Sequence, residues 1–345
     1  MKTEKLFLVL FALLLFSCKK EINTGPQNNA VLTPQYSIEN NYLNFKTTKD
    51  YVSVAGDLQS QNILSGNLGK SHFRNMASIN KQVMSAPDVS SVMTPSYPDS
   101  TDEDPDDLYP EYLQEILNDD SIVNIGNYLI KIDLVNDKGL AIEKSLPEAY
   151  EILKNSDPNN LYPDSDVMLF GEDEDVLDVL DWIASGEGTY KKYLDEMSGF
   201  SVPIFCHDKG APKKKDKRVD YYDPGNHRVR FKTELTYQKA IIYFRLHAEG
   251  KAQRKRGFIW FSDNNTSLYL SYKDRWVQRC KRQSQPGEGG SLAWVSGPKV
   301  HYVAYSGAKS LRQYEMYSQF SIKNVDWPFY QYFTTDPVHY IMYGY

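Results

Sequence analysis

The sequence has 345 residues, of which 41% are hydrophobic and 24% are charged. These fractions are ordinary for a globular protein and, at this length, they exclude a chain too poor in apolar residues to bury a core. The net charge of −6 conceals an asymmetry, because residues 1–206 carry 15 basic and 33 acidic side chains whereas residues 207–345 carry 24 basic and 12 acidic ones. A separation of this size bears on partners and association, not on fold.

The chain begins with a short basic and then apolar segment. Lys2 and Lys5 precede an uninterrupted apolar run from Leu6 to Phe16. As a helix, this run of eleven residues would extend about 16 Å, roughly half the hydrocarbon thickness of a bilayer. We therefore interpret residues 1–17 as a signal peptide and not as a membrane span.

The apolar run ends in Leu15-Phe16-Ser17-Cys18, which resembles the lipobox of bacterial lipoproteins. The resemblance implies that cleavage occurs before Cys18, that its thiol receives a lipid, and that acyl chains such as palmitate hold the mature protein on a membrane. The alternative is an ordinary signal peptide followed by an unrelated cysteine. Lys19-Lys20-Glu21 resembles the charged residues after the lipidated cysteine in surface-directed Bacteroidota lipoproteins. This similarity implies that the protein is attached to the outer membrane and faces the cell exterior.

The next two parts of the chain differ in composition. Residues 18–41 are rich in Asn, Gln, Thr and Pro, and we expect a flexible lipidated tether. Residues 42–200 are acidic, and apolar residues recur at helical spacing in segments such as Asp173–Ser185, so a helix-rich region is expected. Within it, two β-prone runs flank Gly126-Asn127 and predict a hairpin over residues 122–134.

The C-terminal part is basic and aromatic. Residues 201–226 include the run Lys213-Lys-Lys-Asp-Lys-Arg218 and are predicted to be a basic linker. In residues 227–345, apolar and polar positions alternate, as in Val229–Tyr237, and several short strands are expected. The predicted fold class is thus α+β: a helix-rich N-terminal part with a small hairpin, followed by an antiparallel β-sandwich or barrel-like domain.

Three segments carry a family resemblance. They are Leu43-x-Phe45…Tyr51, Phe73–Val83 and Leu117–Lys131, and they are similar to segments of uncharacterised exported lipoproteins of Bacteroidota. In that family a Leu-Asn … Ile-Gly-Asp stretch lies between a helical N-terminal part and a basic, β-rich part, and Asn127 stands where the family more often has Asp. The resemblance covers about two thirds of the chain and implies no known activity.

Cys206 and Cys280 are the two thiols that remain once Cys18 is acylated. In an exported protein such a pair suggests a disulfide. A bond that closes this loop of 74 residues would contribute about 4 kcal/mol in the chain-entropy account. Two unconnected free thiols are the alternative.

No catalytic motif is found. Cys206-His207-Asp208 places a nucleophile beside a base in sequence, but neighbouring residues of a strand point to opposite faces. A distant base, either His247, His301 or His339, would therefore be needed.

No metal-binding motif is found either, and we predict no metal and no cofactor. Asp102–Asp107 matches the first ligands of an EF-hand loop. However, Asp107 occupies the position that needs glycine, and Leu113 occupies the position of the bidentate glutamate.

Two tripeptides resemble the O-glycosylation signal of Bacteroidota exported proteins. They are Asp99-Ser100-Thr101 and Asp120-Ser121-Ile122. Ser100 is the better candidate because it lies in a segment of Pro, Ser and acidic residues typical of an exposed loop.

Basic residues interleaved with aromatic ones form the main candidate binding site. They are Lys251, Arg254, Lys255, Arg256, Trp260, Lys273, Arg275 and Trp276. Such a set favours an anionic ligand. If the lipid anchor holds, the expected partner is an anionic glycan or an envelope or host protein, and no nucleic acid is expected. The alternative is that the basic half pairs with the acidic half of the same chain.

Taken together, these features favour a membrane-anchored binding or adhesion module without catalysis. One alternative is a glycan- or peptide-hydrolysing surface enzyme that uses carboxylates such as Glu234, Glu249 or Asp263, for which the separation in space decides the chemistry. Another alternative is a subunit of an envelope assembly.

Overall fold

Strands make up most of the protein that the structure describes. This structure, a computed structural model, describes residues 36–57, 113–162, 165–199, 205–221, 228–281, 285 and 289–324, together with the backbone of residues 333–334 and 338–343. Residues Gln35–Tyr345 form one compact unit.

The first sheet has six strands in the order in which they follow along the chain. They are β1 (Ser37–Glu39), β2 (Tyr42–Phe45), β3 (Ile122–Ile125), β4 (Tyr128–Asp133), β5 (Lys138–Glu143) and β6 (Met168–Gly171). All neighbours are antiparallel except β2 and β3, which are parallel. Gly126 has φ +61° in the two-residue turn between β3 and β4, where glycine is favoured.

The helices are short and accompany this sheet. They are α1 (Thr48–Asp57), α2 (Leu113–Ile116), α3 (Ala149–Asn155), α4 (Val176–Ala184) and α5 (Tyr190–Met197). The apolar stripe of α4 is buried, and Thr189 caps α5 by accepting a hydrogen bond from the backbone N–H of Lys192 at 3.2 Å.

The expected fold class was wrong for residues 42–200, which contain five strands of the six-stranded sheet and not a helix-rich region. The reason is that both faces of this sheet are buried, one against α3 and the other in the large core that includes α1 and α4. Strands buried on both faces have continuous apolar runs and lack the alternation that identifies a half-exposed strand. Phe73–Val83, one of the three segments that carry the family resemblance, lies outside the described residues.

The second sheet has five strands. They are β7 (Lys214–Tyr221), β8 (Val229–Ala240), β9 (Tyr243–Arg256), β10 (Ile259–Ser262) and β13 (Lys299–Gly307). Their order is β10-β9-β8-β7, and β13 pairs with β9 on the same side as β10.

The third sheet also has five strands. They are β11 (Thr266–Gln278), β12 (Gly289–Ser296), β14 (Leu311–Asn324), β15 (Phe333–Thr334) and β16 (Val338–Tyr343). Their order is β12-β11-β14-β15, and β16 also pairs with β14.

One core lies between the second and third sheets. It contains Phe231, Leu246 and Ala248 from the second sheet and Leu270 and Phe320 from the third. None of the three sheets closes on itself within the described residues, so the barrel alternative was wrong.

Strand β7 lies inside residues 201–226, where the sequence predicted a linker. It is an edge strand whose sequence, Lys214-Lys-Asp-Lys-Arg-Val-Asp-Tyr221, carries charges on both faces. Charged edge strands are common because they discourage pairing with other chains, but their composition resembles that of a solvated loop.

The hairpin tip between β8 and β9 connects the second sheet with the core of the first. Ile241 and Ile242 are buried in that core, and the carbonyl of Ile242 accepts a hydrogen bond of 2.9 Å from the Tyr51 hydroxyl of α1. A Cβ atom on Gly139 of β5 would lie 2.6 Å from Cγ2 of Ile241, so this position accepts only glycine without movement. The two halves of the sequence thus share one core.

Candidate functional site

Acidic residues from the loop before α4 pair with basic residues of the C-terminal half. The Lys239 side chain, 1% exposed, forms ion pairs with Glu172 at 3.3 Å and with Asp173. Arg279, 6% exposed, pairs with Asp175 at 2.8 Å. Part of the charge asymmetry is therefore neutralised within the chain. This agrees with the alternative in which the basic half pairs with the acidic half of the same chain.

A disulfide joins Cys206 to Cys280 beside this acidic–basic contact. Cys280 follows Arg279, whose guanidinium also donates a hydrogen bond to the carbonyl of Asp208 at 3.2 Å. Because the disulfide consumes the sulfur of Cys206, the Cys206-His207-Asp208 sequence has no thiolate for nucleophilic chemistry. Nε2 of His207 instead lies 3.6 Å from the buried Glu196 carboxylate.

The residues of the predicted basic–aromatic patch do not form one surface. Lys251 and Lys255 lie on the outer face of the second sheet, whereas Arg254 lies on the opposite face and pairs with Asp263 at 3.2 Å. Trp276 is turned into the space between the sheets, where its Nε1 donates a hydrogen bond to the carbonyl of Ala304 at 3.1 Å.

The remaining members of the predicted patch lie elsewhere. Lys273 and Arg275 are exposed residues of β11, on the face of the third sheet opposite to Trp276. Arg256 lies at the end of β9, with its guanidinium carbon 5.9 Å from the centre of the Phe261 ring. The sequence prediction failed here because it grouped basic residues by their distance along the chain and ignored the alternation of side chains along a strand.

The structure instead collects basic residues from four strands on the outer face of the second sheet. Register places Lys217, Glu234, Glu249 and His301 in one cross-strand row and Lys232, Lys251 and Lys299 in the next. Residues directly opposite each other in antiparallel strands share a face. The basic residues of this face are Lys215, Lys217, Arg230, Lys232, Arg245, Lys251, Lys255 and Lys299. We call these eight residues the cationic face.

Two carboxylates lie among them and face each other across β8 and β9. Glu249 pairs with Lys251 at 2.7 Å and with Lys299 at 2.8 Å. Burial alone would raise the pKa of Glu249, but the two ammonium groups outweigh burial and lower the pKa. Glu234 pairs with Lys215 at 3.6 Å. Because its pKa is lowered, Glu249 does not supply the proton that a general acid must donate.

The third carboxylate of the hydrolase alternative has a structural role. Asp263 is 3% exposed and lies at the turn that follows β10. Besides the ion pair with Arg254, its carbonyl accepts a hydrogen bond of 2.7 Å from the hydroxyl of Thr266. Asp263 thus fixes the turn between the second and third sheets and is separated from Glu234 and Glu249.

Two histidines lie on the part of the cationic face near Arg245, and His247 is buried whereas His301 is half-buried. Nη2 of Arg245 lies 2.7 Å from Nε2 of His301, and the rings of His247 and His301 are 5.4 Å apart. Burial, followed by the charge of Arg245, lowers the pKa of His301 to about 3. The same two causes, in the same order, place the pKa of His247 well below its usual value. Both rings are neutral at pH 7 and add no charge.

An aromatic side chain marks the other end of the cationic face. The guanidinium carbon of Arg230 lies 4.0 Å from the centre of the Trp260 ring, and Nζ of Lys255 lies 5.5 Å from it. Both distances are within the range of cation–π attraction. Trp260 belonged to the predicted patch. Arg230 did not, because the sequence does not show which residue of β8 lies beside the β9–β10 hairpin.

The described residues contain no group of three or more His, Cys, Asp or Glu side chains that could hold a metal ion. None of the described helices is long and apolar enough to span a membrane.

Ser121 of the second glycosylation candidate is buried at 7% exposure. Cys18, Ser100 and Asp102–Asp107 lie outside the described residues.

No family model and no curated protein matches the sequence. Among solved structures, a DUF4848 family protein from Bacteroides thetaiotaomicron is similar at 12% identity and a TM-score of 0.18, with 88% of this chain and 100% of that chain covered.

Proposed function

We propose that this protein is a lipid-anchored, non-catalytic binding module of the bacterial cell envelope and that its cationic face binds an anionic polysaccharide. The observation that carries the proposal is the collection of eight basic side chains, of which all but Arg230 and Arg245 are partly or fully exposed, and two carboxylates on one face of the second sheet. A sheet face with an excess of positive charge attracts polyanions over the range of the Debye length.

The arrangement of the cationic face suits a linear polymer. Lys232, Lys251 and Lys299 lie on adjacent strands, which are about 4.8 Å apart, and Lys215 and Lys217 lie two residues apart along one strand, about 6.8 Å apart. A polyanion can therefore contact several ammonium groups at once without a deep pocket. Trp260, at one end, offers an apolar ring face of the kind that packs against the carbon skeleton of a sugar.

The anchor in this proposal comes from the sequence. Cys18 would carry the lipid, residues 18–41 would act as the tether, and the outer membrane, facing outwards, would be the location. The resemblance to exported Bacteroidota lipoproteins supports the same assignment. An envelope or host protein with an acidic surface is the other partner class that the charge of the cationic face suits.

Binding of the purified full chain to immobilised heparin and polygalacturonate, measured over a salt series, tests the proposal. We expect retention that weakens steadily as the salt concentration rises, because ions screen contacts between exposed charges. A neutral glucan column serves as the control. Absence of retention on both anionic polymers at low salt would reject the proposal.

A further inference from the structure

We propose that the tip of the β9–β10 hairpin inserts into the surface of an anionic lipid bilayer. The hairpin tip comprises residues 256–261 (Arg-Gly-Phe-Ile-Trp-Phe). This inference concerns a different partner from the polysaccharide binding proposed above, and the hairpin tip adjoins the cationic face at Lys255 and Trp260.

The hairpin tip exposes large apolar side chains to an unusual degree. Phe258 is 97% exposed, Ile259 62% and Phe261 45%. Single exposed apolar residues are common on soluble proteins, whereas contiguous ones mark interaction surfaces. Here the three residues lie within four consecutive positions of one hairpin.

The shape of the hairpin tip favours a deformable partner. Arg256 pairs with Ile259, which leaves Gly257 and Phe258 as a two-residue turn at the very end of the hairpin. Gly257 has φ +64°, a conformation that glycine adopts without strain. The resulting surface is convex. A protein partner would need a matching pocket, but a bilayer accepts an apolar protrusion of any outline.

Charge decides in favour of anionic lipid. Arg256 and Lys255 flank the apolar residues, and their cationic groups lie 5.9 Å from the Phe261 ring and 5.5 Å from the Trp260 ring. Long basic side chains lay their apolar stems along such rings and extend their charges to headgroup level. Trp is enriched at the same level of the bilayer, and basic residues near an anionic leaflet strengthen adsorption.

Site-specific fluorescence quenching tests the inference on the full chain. The Phe258→Trp variant adds an indole at the hairpin tip, and the Tyr162→Trp variant adds one at a control position that is 82% exposed on the first half of the chain. Both variants share any membrane attachment that the N-terminal segment provides. Vesicles contain brominated lipid in either phosphatidylcholine alone or a mixture with phosphatidylglycerol.

We expect the added indole at position 258 to lose about half of its emission on the anionic vesicles, since insertion brings it among the acyl chains, and the indole at position 162 to lose little. Absence of quenching at position 258 would overturn the inference. Equal quenching at position 258 on neutral and anionic vesicles would overturn the requirement for anionic lipid. Phe258 is not part of the cationic face, so polysaccharide binding and insertion can fail separately.

Discussion

Arg245 donates a hydrogen bond to Nε2 of His301 across β9 and β13, at 2.7 Å. Because a guanidinium can only donate, Nε2 of His301 must accept, and a neutral ring then carries its proton on Nδ1. Protonation of His301 would break this hydrogen bond and place a second positive charge beside Arg245.

This relationship predicts a loss of stability in mild acid. The pKa of His301 falls from 6.5 in the unfolded chain to about 3 in the folded one. Below pH 6.5 the unfolded state binds a proton that the folded state does not, so stability falls as the pH falls. The slope approaches about 1.4 kcal/mol per pH unit for each such histidine.

Urea unfolding of the wild type and the His301→Gln variant between pH 7 and pH 5 measures the effect. The glutamine oxygen can still accept from Arg245, and glutamine does not titrate, so we expect the pH slope to decrease by about 1 kcal/mol per pH unit. The lowered pKa of Glu249 affects only a more acidic range. An unchanged slope in the variant would show that His301 titrates normally in the folded protein.

The disulfide predicts the pattern of thiol labelling. The chain has 3 cysteines, and Cys206 and Cys280 are bonded. In denaturant without reductant, chain that has not been acylated should react at Cys18 alone, and reduction should expose all three thiols. The Cys18→Ser variant should then show no label before reduction. Labelling at three sites without reductant would contradict the disulfide.

Lys239 should contribute more to stability than an exposed lysine that makes an equivalent ion pair. Its side chain is 1% exposed, whereas Glu172 and Asp173 are 34% and 32% exposed. Lys239→Met removes this partner from Asp173 and leaves Glu172 with Lys213 at 3.3 Å, and both carboxylates stay in contact with water, so we expect a loss of about 2 kcal/mol in the free energy of unfolding.

Lys309→Met is the matched control, because Lys309 pairs with Asp178 at 2.6 Å while both side chains are more than 40% exposed. Such surface pairs contribute about 0 to 1 kcal/mol. Similar losses in the two variants would show that the contact around Lys239 is as solvated as the one around Lys309.

Tyr51 should link the two halves of the sequence. Its hydroxyl donates to the carbonyl of Ile242 within the shared core. Tyr51→Phe leaves that carbonyl buried without this donor, so we expect a loss of about 1 to 2 kcal/mol in the free energy of unfolding. Urea unfolding followed by fluorescence and by circular dichroism should still give coincident transitions if the halves unfold together. Separate transitions in the wild type would contradict a shared core.

The sequence was sufficient to predict a local turn, but it was not sufficient to predict most strands of the first sheet or the edge strand of the second. Gly126-Asn127 identified the hairpin, which the structure has as Ile122–Ile125 and Tyr128–Asp133. The rest of the first sheet escaped prediction because strands buried on both faces show no alternation. Strand Lys214–Tyr221 escaped because a charged edge strand has the composition of a loop.

The candidate site was predictable only in part for a related reason. Lys251, Lys255 and Trp260 were identified, but the other basic residues of the cationic face come from strands β7, β8 and β13 and from the start of β9. Which residues of distant strands meet depends on register, and register is set by packing that a single sequence does not display.

The most direct test of the central claim compares two double variants on heparin at constant salt. Lys232→Gln with Lys255→Gln removes two charges from the cationic face, and Lys273→Gln with Arg275→Gln removes two from the third sheet. We expect the first pair to weaken binding about tenfold and the second to change it less than about twofold, because only nearby charges are unscreened. Equal losses, or a larger loss in the second pair, would contradict binding through the cationic face.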